Sequence, residues 1–158
     1  MTPIDADFTL PPIGPVSTWS VEVCFGDCDP AGIVFFPNYL RWMDSASLHW
    51  FRSCGLPPWR ELERSHGLIG TPLLEIRTRF RRSATYGQTL QVQSQVVTWK
   101  RRTVTQHHRV LDANGQLLCE GLELRAFCQR GEDGRISAIA FPDDLRQRCS
   151  APALADCA

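Results

Sequence analysis

The hydrophobic pattern of this chain changes period once, and that change leaves few folds open. Ser17 to Phe25 alternates, with Trp19, Val21, Val23 and Phe25 on one side, which predicts a strand. Gly26 to Gly32 is turn chemistry and stops it. From Phe36 to Gly55 the apolar residues recur at helical spacing, through Phe36, Tyr39, Leu40, Met43, Ser47 and Trp50. Pro37 suits the first turn, where its missing N–H costs nothing, and Gly55 is placed to cap the end. The result is one helix of about five turns with a single apolar stripe.

Past Pro57-Pro58, Trp59 to His66 reads as a second, short helix, and the remainder reads as strands. Leu74, Ile76, Thr78 and Phe80 alternate with Glu75, Arg77, Arg79 and Arg81. Leu90 to Trp99 and Thr103 to Leu111 follow, and Asp112 to Gly115 turns the chain into Leu117 to Cys128. Ile136 to Phe141 is expected to end the sheet, and Pro142-Asp143-Asp144 to start a final short helix. One long helix with one apolar stripe, followed by antiparallel strands, must bury that stripe on the sheet, which makes the fold class α+β. With 158 residues there is material for one domain, taken as 17–149. Residues 1–16 are expected to be a loose arm and 150–158 a disordered tail.

Charge and cysteine usage narrow the functional classes. Seventeen basic residues oppose seventeen acidic ones, so no overall field draws the chain to nucleic acid. The basic residues cluster at Arg77, Arg79, Arg81 and Arg82 and again at Lys100, Arg101 and Arg102, either as solvated strand faces or as contacts for phosphate. No apolar run reaches 18 residues, so no membrane span is expected, and Met1 to Pro15 lacks the features of a signal peptide. The seven cysteines are therefore expected to be reduced thiols of a cytoplasmic protein. No C-x-x-C pair is present, and the adjacent His107 and His108 would point to opposite faces of a strand, so no metal is expected. His49, His66, His107 and His108 have no evident catalytic partner and are read as structural or exposed.

The chemistry concentrates in Phe25-Gly26-Asp27-Cys28-Asp29-Pro30-Ala31-Gly32-Ile33-Val34-Phe35-Phe36-Pro37-Asn38-Tyr39. This run places a carboxylate in a tight loop just ahead of the long helix. The helix N-terminus presents unpaired N–H groups and a partial positive charge, which stabilise a carbonyl oxygen as it becomes an oxyanion. The Phe36 backbone N–H is the donor expected to do this, and a nearby carboxylate can attack the carbonyl or deprotonate a water. The same residue types also serve an N-cap or an Asx turn. Pro30 restricts Asp29 to an extended backbone, which does not choose between these roles.

Phe25 to Asp44, Cys54 to Arg60 and Gly70-Thr71-Pro72 resemble the 4-hydroxybenzoyl-CoA thioesterase family of hotdog proteins, over about residues 18–150. The resemblance implies a hotdog fold, a long central helix wrapped by a five- to six-stranded antiparallel sheet. It implies that Asp29 is the catalytic aspartate and that the Phe36 N–H faces the thioester carbonyl. The family's usual aromatic pair here is Trp-Tyr, whereas this chain has Phe35-Phe36; a backbone donor survives the change, but any role of a tyrosine hydroxyl does not. Asp44, Trp59 and Thr71 match positions around the aromatic ring and its hydroxyl, and Phe35 joins the acyl pocket. Asp27 is expected to fix the loop. Trp99, Lys100, Arg101 and Arg102 resemble the segment that meets the CoA nucleotide, their chemistry suiting adenine and phosphate; strand alternation would send Lys100 and Arg102 to one face and Arg101 to the other.

The expected activity is hydrolysis of an aromatic acyl-CoA, with a hydroxybenzoyl group first among candidates. No cofactor is expected beyond the CoA of the substrate. The expected partners are the acyl-CoA and further copies of the chain, a dimer and then a tetramer, with sites across the interface. The alternatives are a short-chain aliphatic acyl-CoA thioesterase, a dehydratase of the same fold and a non-catalytic acyl-CoA-binding module. The dehydratase would need a base, often His, near the loop, and none lies there.

Overall fold

The structure is a computed structural model that describes residues 7–150. The first strand, β1 (Val16–Glu22), leads through a single 3-10 turn at Phe25–Asp27 to the long helix α1 (Pro37–Ser53) and the short helix α2 (Trp59–His66). Then come β2 (Leu73–Phe80), β3 (Thr89–Trp99), β4 (Thr103–Leu111), β5 (Leu117–Ala126), β6 (Cys128–Arg130), β7 (Ile136–Ala138) and α3 (Asp143–Ser150). Five strands form one antiparallel sheet in the order β1-β3-β4-β5-β2, and α1 packs across one face of it. This is the helix-on-sheet α+β arrangement expected from the change of period, and a long helix wrapped by a five-stranded antiparallel sheet is the hotdog fold that the resemblance implied.

The sheet holds five strands because the last expected one does not join it. Ile136–Ala138 pairs with Cys128–Arg130 in a separate hairpin. The expected strand from Leu117 to Cys128 breaks at Phe127, whose N–H turns to the carbonyl of Arg102. Phe25 is likewise not on β1: it opens the 3-10 turn with its ring 81% exposed. The part of the expected arm within the described residues is not loose. Phe8 is buried against Val97, Leu122 and Leu124, and Arg79 lies over its ring at 4.3 Å. Residues 1–6 of that arm and 151–158 of the expected tail lie outside the described residues, while Ser150, expected to open that tail, is the last residue of α3.

The buried line of α1 runs Tyr39, Trp42, Met43, Ala46, Ser47, Trp50 and Phe51, the i, i+3, i+4, i+7 spacing of a helix face. It is rotated slightly from the expected stripe, for Leu40 is only half-buried and Phe36 is exposed at the front end. The front half of this line packs with Val23, Val34, Leu90, Val92, Val110 and Cys119, and the rear half with Leu62, Phe127, Phe141 and Leu145. Each large side chain so buried contributes about 1.5–3 kcal/mol. The helix sits this close because β5 carries Gly121 beneath it: a Cβ there would meet the Met43 sulfur at 2.6 Å.

Met43 is itself fully buried and has little room to yield. Gly121→Val is therefore expected to destabilise the fold by about 1–3 kcal/mol through overpacking. Urea denaturation of Gly121→Val, Met43→Ala and the double variant checks this. The two losses should sum to more than the loss of the double variant, and strict additivity would mean that the two residues do not compete for space.

Candidate active site

The loop ahead of α1 is a small hairpin held at several points. Asp29 donates its N–H to the Ile33 carbonyl at 2.9 Å and accepts from the Gly32 N–H at 2.9 Å. Asp, Pro and Gly thus occupy the first, second and fourth places of a β-turn, the positions they favour, with Gly32 at φ 77°. Asp29 Oδ1 accepts the Ala31 N–H at 2.8 Å, an Asx turn, while Oδ2 has no acceptor duty among the described residues. The Asx-turn reading of Asp29 is thus met by one carboxylate oxygen, and the side chain that carries the other is half-exposed.

Asp27 anchors the loop to the helix. It is buried, and its carboxylate accepts the Cys24 N–H at 2.8 Å and the Arg41 guanidinium at 2.9 Å. Its carbonyl accepts the Phe35 N–H at 2.8 Å and the Asn38 amide at 2.8 Å. With both carboxylate oxygens engaged, Asp27 has none left for a substrate.

At the start of α1, Asn38 and Tyr39 donate to the carbonyls of Phe35 and Phe36 in tight i to i+3 bonds, and Pro37 has no N–H. The Phe36 N–H has no acceptor among the described residues. It stands at the positive end of α1, the position from which a donor stabilises a developing oxyanion. The Phe36 ring lines a cleft of about 310 Å³ with Ile33, Val34, Tyr39, Phe80, Arg81, Arg82 and Ser83. Phe35 does not line this cleft; its ring packs edge-on against Phe36 and is half exposed.

A second cleft, about 390 Å³, brings together three residues far apart in sequence: Asp44, Trp59 and Thr71. It lies beside α1 some eight residues beyond Phe36, about 12 Å along the helix. Ser47, Leu48, Ile69, Gly70 and Arg125 are among its other lining residues. Arg125 went unnoticed in the sequence, although a charged residue inside a strand otherwise rich in apolar positions is a usable signal. Its guanidinium donates to Asp44 Oδ1 at 2.7 Å, to Glu123 Oε2 at 2.8 Å and to the Thr71 carbonyl at 3.0 Å. Behind it, Glu123 meets His108 at 3.1 Å, and His108 meets Ser94 at 2.7 Å. Burial pushes the Glu123 carboxyl up, yet His108 and Arg125 outweigh it and hold the group below its ordinary value.

The basic segment lies elsewhere. Lys100 to Arg102 form the turn between β3 and β4, where the Lys100 N–H donates to the Thr103 carbonyl, so strand alternation does not govern their directions. Trp99 lies parallel to Phe127 and Phe141, and the Arg146 guanidinium stands 5.3 Å from its ring centre. Trp99, Lys100 and Arg101 border a third cleft, about 420 Å³, together with Arg146, which the sequence reading did not single out. Arg102 is exposed and is not among its lining residues. Asp29 and this turn lie beyond opposite ends of β3, whose span from Thr89 to Trp99 is about 30 Å at strand rise. The described residues hold no grouping of three or more His, Cys, Asp or Glu arranged to bind a metal ion, and their six cysteines are free thiols. No helix among them is long and apolar enough to cross a membrane.

Comparison with known proteins places this geometry. The family model of the thioesterase-like superfamily matches residues 23–149. The 4-hydroxybenzoyl-CoA thioesterase of Pseudomonas sp. (strain CBS-3) is 39% identical over 137 residues, covering 84% of this chain and 96% of that protein. A crystal structure of an Asp-to-Asn variant of 4-hydroxybenzoyl-CoA thioesterase, complexed with 4-hydroxybenzoyl-CoA, superposes with a TM-score of 0.80 at 38% identity, covering 85% of this chain and 99% of that one. A gentisyl-coenzyme A thioesterase superposes with a TM-score of 0.71 at 25% identity, over 82% of this chain and 99% of that one. The turn-rich loop before a central helix, the hotdog sheet around it and these likenesses over most of the chain agree, and the chain belongs to the thioesterase-like superfamily.

Proposed function

We propose that this protein hydrolyses 4-hydroxybenzoyl-CoA, or a close hydroxybenzoyl or benzoyl analogue, to the free acid and CoA. The observation that carries the reading is that, among the described residues, Asp29 keeps one carboxylate oxygen and Phe36 keeps its N–H at the head of α1 without a hydrogen-bond partner. The likeness to 4-hydroxybenzoyl-CoA thioesterase over most of both chains supports the acyl group.

In this reading the thioester carbonyl oxygen accepts the Phe36 N–H. Asp29 attacks the carbonyl carbon and expels the CoA thiolate, leaving an acyl-aspartyl anhydride that water opens, or it deprotonates the water that attacks. Phe35 and Phe36 shield the thioester end. Because the Asp44 cleft lies about 12 Å along α1 from Phe36, farther than the ring reaches, the ring is bounded by Trp59 and Thr71 of the partner subunit, and its hydroxyl is accepted by Asp44 of the partner subunit. No cofactor takes part beyond the CoA of the substrate. Trp99, Lys100, Arg101 and Arg102 receive the CoA nucleotide, which places that contact some 30 Å along β3 from Asp29 of the same chain. One ester is therefore held by two chains, a dimer that pairs further into a tetramer. The exposed aromatic rings around the Asp29 loop, Phe25, Phe80 and Tyr86, support a covering partner there. Free thiols among the described residues fit a cytoplasmic enzyme of aromatic compound degradation.

Three outcomes are expected. Asp29→Asn should lower kcat for 4-hydroxybenzoyl-CoA by a factor of about 100 or more, measured by CoA release; full activity in that variant would remove Asp29 from the mechanism. Single turnover in water labelled with oxygen-18 should place label on Asp29 if it attacks the carbonyl and water then opens the anhydride at the Asp29 carboxyl carbon, and rapid acid quench should trap the acyl group on Asp29; neither occurs if Asp29 activates water. On dilution, turnover per chain should fall with the fraction of oligomer seen by sedimentation velocity, and a monomer of undiminished activity would sink the shared site.

A further inference from the structure

Arg125 touches both walls of the Asp44 cleft, and this arrangement does more than neutralise a charge. Its side chain is 5% exposed, while that of Asp44 is 69% exposed. One end of the guanidinium holds Asp44 Oδ1 on α1 at 2.7 Å, and another holds the Thr71 carbonyl, in the loop before β2, at 3.0 Å. Asp44 Oδ2 is left without a partner among the described residues. The guanidinium is itself fixed from beneath by Glu123, at 2.8 Å from Nε and 2.7 Å from one terminal nitrogen. Glu123 is in turn held by His108, and His108 by Ser94, all three buried to within 1% of their surface. Such a chain leaves Arg125 one orientation, and a planar fork that bonds in several directions at once has no equivalent in lysine.

We infer that Arg125 is a positioning residue for substrate selection: it sets the separation of Asp44 and Thr71 and turns the free oxygen of Asp44 toward a hydroxyl donor on the acyl group. The inference rests on the proposed hydroxybenzoyl reading, for which Asp44 is the acceptor of the ring hydroxyl. The buried Glu123–His108–Ser94 chain serves as the support that keeps the fork from tilting. A ring without a hydroxyl gains nothing from a correctly turned Asp44, so the effect of Arg125 falls on the preference between esters. A hydrogen-bonding site of this kind discriminates because its polar group goes unpaired with the wrong ligand.

The test compares 4-hydroxybenzoyl-CoA with benzoyl-CoA in wild type, Arg125→Lys, Asp44→Asn and the double variant. The readouts are kcat/KM and, with Asp29→Asn added so that the ester survives, the dissociation constant. Arg125→Lys is expected to reduce the 4-hydroxybenzoyl preference about tenfold or more, and Asp44→Asn to add little to that loss in the double variant. A structural role alone would lower both esters alike; that result, or fully additive losses, overturns the inference. If Arg125→Lys fails to fold, Arg125→Met with Glu123→Gln removes both charges of the buried pair and should show the same loss of preference. A wild type without preference for the hydroxylated ester would refute the hydroxybenzoyl reading, and the inference with it. A wild type with that preference whose Arg125 variants retain it would refute the inference alone.

Discussion

The structure depends on the burial of one face of α1 against the sheet. Tyr39, Met43, Ala46, Trp50 and Phe51 form that face, and Gly121 on β5 lets the helix settle onto the strand where any side chain would hold it off. Each functional feature is referred to this seam. The Phe36 N–H is presented where the helix begins, and the Asp44 cleft opens where its flank leaves the sheet. A helix held by about 1.5–3 kcal/mol per large buried side chain is a rigid reference for both.

Asp27 connects the seam to the loop. Its carboxylate and carbonyl tie the end of the 3-10 turn to Phe35, Asn38 and Arg41, so the loop cannot move without disturbing the first turn of α1. The division of labour between the two acids follows from their hydrogen bonds. Asp27 is saturated and buried, whereas Asp29 spends one oxygen on its own turn and keeps the other. Polar residues placed under the helix would ordinarily be costly, because a buried charge without a partner destabilises by several kcal/mol. Here Asp44, Arg125, Glu123, His108 and Ser94 satisfy one another in sequence across four elements.

Much of this was legible from the residues alone. Alternation located β1 to β5 to within a few positions, and the helical spacing located α1 with Pro37 at its start. The loop reading was legible because turn chemistry is local: Asp, Pro and Gly at fixed offsets dictate the backbone whatever surrounds them. The failures occurred where long-range pairing decides. Ile136 to Ala138 has the pattern of a sheet strand, yet its hydrogen bonds go to Cys128–Arg130. Lys100 to Arg102 follow a strand closely enough to suggest alternation, but they are the turn itself.

The sequence by itself determined the α+β class, the single amphipathic helix and the placing of a carboxylate beside its N-terminus, because these follow from periodicity and from conformational preferences a few residues long. The resemblance in the Asp29 loop added the chemistry. Only the tertiary structure decided that Asp44, Trp59 and Thr71 share a cleft, that Arg125 joins two of its walls and that Trp99 lies among Phe127, Phe141 and Arg146. These are contacts between residues up to 81 positions apart, set by strand register and by the depth at which α1 seats on Gly121. Neither quantity has a local signature, since both arise from the packing of whole elements on one another.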